Sequence, residues 1–156
     1  MFKFYLSPNK WIVLDFKLFE KRNEEYFIEE SQVIKLNIFD CNLKNNRKPK
    51  DSLELESIIK TIMKECLLYK TTVFNCTIAF TNACYYEILH YFIIGLVKKG
   101  IPLRFLPFVC EHEQNIFILN QHRQVLFDNS KIEENEKTKL FSKTYAQMLE
   151  IIKETV

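Results

Sequence analysis

A run of side chains with almost no polar face occupies the middle of the chain and dictates what can be built around it. Between Ala83 and Val97 the only formal charge is on Glu87, and His90 is the other group that titrates near neutrality. Tyr85, Tyr86, Ile88, Leu89, Tyr91, Phe92, Ile93, Ile94, Leu96 and Val97 would cover nearly the whole circumference of a helix. A helix apolar on all sides is buried on more than one side. Lys98 and Lys99 complement the negative end of its dipole, Gly100 suits the left-handed position after the last turn, and Pro102 stops it. A membrane span needs roughly 20 mostly apolar residues. This run is shorter and contains an acid and a histidine, so the sequence predicts a buried core helix and no membrane partner.

The flanking segments read as strands. Thr71–Phe80 (TTVFNCTIAF) is rich in β-branched and aromatic residues, which suit a pleated surface. Phe74, Cys76, Ile78 and Phe80 would share a buried face, with Val73, Asn75, Thr77 and Ala79 on the other. Thr81-Asn82 then offers N-cap chemistry, placing the helix start at about Ala83. Leu103–Phe108 reads as the next strand. If it is a parallel neighbour of 71–80, the crossover is right-handed.

On either side of this unit the pattern is equally legible. Residues 2–6 alternate, Ser7-Pro8-Asn9-Lys10 is a turn, and Trp11–Phe19 alternates again with Ile12, Leu14, Phe16 and Leu18 on one face. Tyr26–Glu29 and Gln32–Asp40 extend this into an N-terminal antiparallel meander, with Ile34, Leu36 and Ile38 inward. Asp51 or Ser52 caps an amphipathic helix carrying Leu55, Ile58, Ile59, Ile62, Met63, Cys66 and Tyr69 at helical spacing. Asn115–Leu119 and Gln124–Phe127 form a C-terminal hairpin. A closing helix from about Lys137 to Lys153 has a stripe of Leu140, Phe141, Thr144, Tyr145, Met148, Leu149, Ile151 and Ile152. The expectation is an α/β or α+β fold: a single mixed sheet with three packed helices, forming a single domain over residues 1–156.

Composition narrows the functional classes. A 47% hydrophobic and 14% aromatic chain is not disordered. Two glycines leave no phosphate-binding loop of the Walker or GxGxxG kind. A net charge of +2 does not demand a nucleic-acid partner. Lys3, Pro8 and Lys10 interrupt any signal-peptide apolar core. Five scattered cysteines, odd in number and without CxxC spacing, read as free thiols of a reducing compartment, so a cytoplasmic location is expected.

Several residues could carry chemistry. Lys44, Arg47, Lys48 and Lys50 form a basic loop that reads as a solvated turn or as a contact patch for phosphate or an acidic partner. Asn75, Thr77, Thr81 and Asn82 line the polar side of the strand-to-helix junction, where helix N-termini attract phosphate. The segment Phe74–Leu89 (FNCTIAFTNACYYEIL) resembles the strand–Thr–helix segment of CRISPR-associated Rossmann-fold sensor domains, without the glycine pair of that motif. The resemblance implies the same four residues as nucleotide contacts. Cys84, in the first turn of the central helix, is where a dipole would lower a thiol pKa. Cys110 and His112 at i, i+2, with His122 nearby, could begin a metal site, but too few ligands follow to predict a metal or any other cofactor. His90 reads as a core histidine.

Three functional classes follow. The first is a non-enzymatic intracellular protein-binding module: an adaptor, an inhibitor or a subunit of a larger complex. The second is a nucleotide- or nucleic-acid-binding domain using Thr81-Asn82 and the loop 44–50. The third is a thiol-dependent enzyme using Cys84 or Cys110.

Overall fold

A computed structural model describes residues 1–20, 33–42, 52–68 and 72–155. The elements run β1 (Phe2–Ser7), β2 (Lys10–Glu20), β3 (Val33–Asp40), α1 (Ser52–Cys66), β4 (Thr72–Thr81), α2 (Tyr85–Lys99), β5 (Pro107–His112), β6 (Asn115–Asn120), β7 (Val125–Asp128) and α3 (Glu134–Thr155). The predicted strand at Tyr26–Glu29 lies outside the described residues.

The fold is α+β, but with two sheets in place of the expected one. The first has strand order β1-β2-β4-β3, and the second is the antiparallel set β5-β6-β7. The predicted β1–β2 hairpin is present. The predicted meander is not, because β4 lies between β2 and β3, antiparallel to β2 and parallel to β3. The reason is burial. Phe74, Cys76, Ile78 and Phe80 of β4 are all buried, and a strand this apolar is best covered at the centre of a sheet. A parallel β3–β4 pair needs a long crossover connection, and the segment containing α1 supplies it.

The other half of the strand–helix–strand unit also differs from expectation. The strand after α2 begins at Pro107, four residues later than predicted, and belongs to the second sheet. Leu103 instead forms an isolated bridge with Leu67. So β4 and β5 are not parallel neighbours, and no crossover joins them within one sheet.

The central helix explains why there are two sheets. α2 packs against β2 of the first sheet, against β5 of the second, and against α3. Ile88, Leu89, Phe92, Ile93, Ile94 and Leu96 are buried, which is the outcome its all-round apolar sequence demands. Its close approach to the first sheet depends on Gly95. A Cβ there would lie 2.8 Å from Leu14 Cδ1 and 2.9 Å from Phe16 Cε2. Gly100 ends the helix in the left-handed conformation (φ 75°), its N–H bonded to the Val97 and Leu96 carbonyls. Buried residues of both sheets, including Phe74, Phe108 and Phe117, join Phe92 of α2 in one hydrophobic cluster. α1 packs against β3 and β7, and α3 against β5, where Phe108 meets Phe141 edge-on at 5.5 Å.

Candidate functional site

The strand-to-helix junction is built differently from its sequence reading. Thr81 is the last residue of β4, and Asn82 adopts φ 58°, a left-handed conformation that asparagine tolerates. Helix α2 starts at Tyr85, with Cys84 as the N-cap. The Cys84 N–H donates to Glu87 Oε1 at 3.2 Å, so the acid at N3 satisfies an orphan donor. Lys10 Nζ also donates to both Glu87 oxygens, at 3.1 and 3.3 Å. Burial opposes ionisation of Glu87, but the hydrogen bonds from Cys84 and Lys10 outweigh it and hold the carboxyl below its usual value. A carboxylate therefore already occupies the positive end of this helix, where a phosphate would otherwise be attracted.

Asn82 works as a clamp. Its Nδ2 donates to the Asn9 carbonyl at 2.7 Å in the β1–β2 turn, and its Oδ1 accepts from Asn42 Nδ2 at 2.6 Å just after β3. Asn75 and Thr77 lie further back on the same strand, on the face turned away from the helices. At about 3.3 Å per residue, Asn75 and Thr81 are roughly 20 Å apart, so Asn75, Thr77 and Thr81 are strung along β4, with Asn82 just beyond its end, rather than gathered in one notch. Lys44, Arg47, Lys48 and Lys50 lie outside the described residues.

Neither candidate thiol, Cys84 or Cys110, is activated. Burial pushes the Cys84 thiol up, with Glu87 contributing in both directions, so the expected lowering by the helix dipole is not what the site produces. Burial also raises Cys110, whose Sγ donates to Thr144 Oγ1 at 3.5 Å, and pushes Cys66 up to about 12. His112 faces Glu113 and Glu136 at 3.9 and 4.0 Å, while His122 sits edge-on to Phe105 at 6.1 Å. Cys110 and His112 therefore part company, one into the core and one to the surface. Among the described residues, no cluster of three or more His, Cys, Asp or Glu could hold a metal ion. His90 is stacked on Tyr86 at 5.7 Å with its Nδ1 buried and unbonded, and burial lowers its pKa. The sequence predicts a satisfied core histidine; the structure leaves the residue half-buried with no hydrogen-bond partner at Nδ1.

A cleft of about 230 Å³ between the β6–β7 side and α3 is lined by Gln121, Arg123, Phe141, Ser142 and Tyr145. Its one cation, Arg123, already lies 5.4 Å above the Phe141 ring.

The outer face of the first sheet is a further surface that the core does not explain. The strands alternate in burial, so Ile12, Leu14 and Phe16 of β2 face the core while Trp11, Val13, Asp15 and Lys17 face outward. The pairing registers align the outward residues in rows. Tyr5, Trp11 and Thr81 form the first row, and Lys3, Val13, Ala79 and Phe39 the second. Asp15, Thr77 and Asn37 form the third, and Lys17, Asn75 and Lys35 the fourth. Tyr5 is 74% exposed and Phe39 37% exposed. The contacts of α1 and α2 with this sheet are made from the core side, so no described helix covers the outer face. The Asn75 Oδ1, in the strand between Lys17 and Lys35, is buried without a hydrogen-bond partner. The signal for this face was present in the sequence as alternation. It needed the strand order to become a surface, because Tyr5, Trp11 and Phe39 are brought together only by pairing.

No family model matches the chain, and no curated relative matches it. Solved structures do. The fold is similar to that of rice (Oryza sativa) Rrp46, with a TM-score of 0.62 and 12% identity, over 95% of this chain and 83% of that one. A structure of the archaeal exosome core aligns with a TM-score of 0.49 and 10% identity, over 94% of this chain and 76% of that one. At such identities the likeness to Rrp46 defines the fold: an α+β arrangement shared over nearly the whole chain.

Within the described residues, no helix is long and apolar enough to cross a membrane.

Proposed function

We propose that this chain is a non-enzymatic protein-binding module, acting as a subunit of a larger complex or as an adaptor or inhibitor, and that it docks through the outer face of its first sheet. The observation that carries this reading is the cluster of Tyr5, Trp11, Val13, Ala79 and Phe39 in two adjacent rows of a sheet face that no described helix covers. Contiguous apolar surface of this kind marks interaction sites, and aromatic residues dominate their energetics. The raised thiols and the absence of a cysteine–histidine hydrogen bond among the described residues weigh against the thiol-enzyme reading. Free thiols suit work in the reducing cytoplasm.

The test compares the chain with Tyr5→Ser and Phe39→Ser variants as baits in extract from the source cells. Both side chains are exposed, so the fold should persist. A partner retained by the native chain and lost by both variants supports the reading. Retention unchanged by both variants sinks it. The nucleic-acid reading, with Lys44, Arg47, Lys48 and Lys50 as its cations, predicts instead that nuclease treatment removes what is retained.

A further inference from the structure

We propose that the cleft between the β6–β7 turn and α3 is a binding site for a small aromatic carboxylate. It lies apart from the outer face of the first sheet. Gln121 and Arg123 come from the turn, and Phe141, Ser142 and Tyr145 from α3. Asn120 holds the turn from inside. It is 1% exposed, its Oδ1 accepts from the N–H groups of His122 and Gln124 at 2.9 and 3.0 Å, and its carbonyl accepts from the Arg123 N–H at 2.9 Å. Arg123 thereby sits at φ 62°, a left-handed conformation that a residue with a side chain keeps only where its surroundings hold it. Gln121 is fixed as well. The Leu106 N–H donates to its Oε1 at 2.9 Å, so the amide NH2 is the group left for the cleft.

The lining selects the ligand. It carries one cation and no carboxylate. Its polar groups are the Arg123 guanidinium, the Gln121 amide and the Ser142 and Tyr145 hydroxyls, and all of them can donate hydrogen bonds. Asp128 and Glu134 line instead a smaller adjoining hollow of about 100 Å³, and Asp128 is already bonded to Lys137 and Ser130. The cleft therefore favours an anion and repels a cation. Stacked over a ring, as Arg123 is over Phe141 at 5.4 Å, a guanidinium keeps its N–H edge for a bidentate grip on a planar anion. One guanidinium matches the single charge of a carboxylate. The second charge of a phosphate monoester would find no cation among the lining residues. The Phe141 and Tyr145 rings, with centroids 5.9 Å apart, supply the apolar wall. An apolar cavity of about 150 Å³ accepts benzene. The cleft measures about 230 Å³, room for one ring and the carboxylate it bears.

The test titrates benzoate into the full chain and follows the backbone amides by NMR. The expected result is a set of shifts centred on Arg123, Ser142 and Tyr145, with a Kd of about 1 mM, the scale of a one-ring ligand. Benzamide keeps the shape without the charge, and acetate keeps the charge without the ring. Each should bind about tenfold more weakly than benzoate. Arg123→Gln should weaken benzoate about tenfold, through loss of a charge-assisted hydrogen bond. Ser142→Ala lies on exposed helix surface where alanine is the better helix former, so it should keep the fold and weaken benzoate about threefold. Benzoate affinity unchanged in both variants overturns the proposal, as do shifts centred elsewhere or none at about 20 mM benzoate. Benzamide or acetate binding as tightly as benzoate also overturns it, because the charge or the ring then contributes nothing. Inorganic phosphate that shifts the same amides at lower concentration than benzoate overturns it in favour of a phosphate site.

Discussion

The two faces of the first sheet are made by the same strands, yet one is sealed and the other has no described helix over it. On the inner face Leu14, Phe74, Cys76 and Ile78 have no exposed surface at all, and α2 comes so close that only glycine fits at position 95. On the outer face, residues one step along the same strands range from half-buried Val13 and Thr77 to exposed Lys17, Lys35 and Phe39. A one-residue step turns a side chain through the sheet. Alternation therefore assigns each residue either to stability or to recognition, and mutations on the two faces should fail in different ways.

The strongest break of this comparison is Phe74→Ala. Removing a fully buried ring should cost about 3–5 kcal/mol, read as a shift in the urea midpoint. A loss below about 1 kcal/mol would mean the inner face is not the packed core described. Gly95→Ala comes next. Its Cβ would press on Leu14 and Phe16, and overpacking of this kind costs about 1–3 kcal/mol. Since alanine is otherwise the better helix former, a stabilised variant would contradict the close helix–sheet approach.

A smaller effect should come from the helix start. Glu87→Gln keeps an acceptor for the Cys84 N–H but loses the charge that pairs with Lys10, and should cost about 0.5–1 kcal/mol. If the loss persists unchanged in the Lys10→Met background, the ion pair contributes nothing.

Acid should separate the inner residues too. Burial lowers the pKa of His90 from its ordinary 6.5. The unfolded chain therefore takes up this proton at a higher pH than the folded chain does. Stability should fall as pH drops below about 6.5, and level off once the folded form also binds the proton. The effect should vanish in His90→Phe, which keeps a ring against Tyr86. Equal pH dependence in both proteins would remove His90 from the account. The smallest effect on stability belongs to Tyr5→Ser on the outer face. A change within about 0.5 kcal/mol is expected there, while partner binding is lost.

Much of this was legible from local pattern. The β1–β2 hairpin, α1, β4, α2, the β6–β7 hairpin and α3 all follow from periodicity, because the side-chain repeats of strand and helix are fixed by backbone geometry. The left-handed end of α2 at Gly100 follows from the same local chemistry. Its start was missed by counting forward from Thr81-Asn82. Counting back three residues from Glu87 finds Cys84, since an acid at N3 can serve the N-cap even when the cap residue is unconventional. Nothing in the local pattern marks Gly95. Its meaning lies in Leu14 and Phe16, which are distant in sequence.

By itself, then, the amino-acid order determined which segments are helix or strand, which side of each is apolar, and that α2 must be covered on more than one side. Only the tertiary structure decided that the cover is two separate sheets, and that β4 enters between β2 and β3. It alone set Tyr5 beside Trp11, and Val13, Ala79 and Phe39 in the next row of the same face. The physical reason is range. Periodicity records how a residue sits relative to its neighbours in the chain. Strand order and register record which distant segments bury each other best, and that competition is settled by the whole core at once.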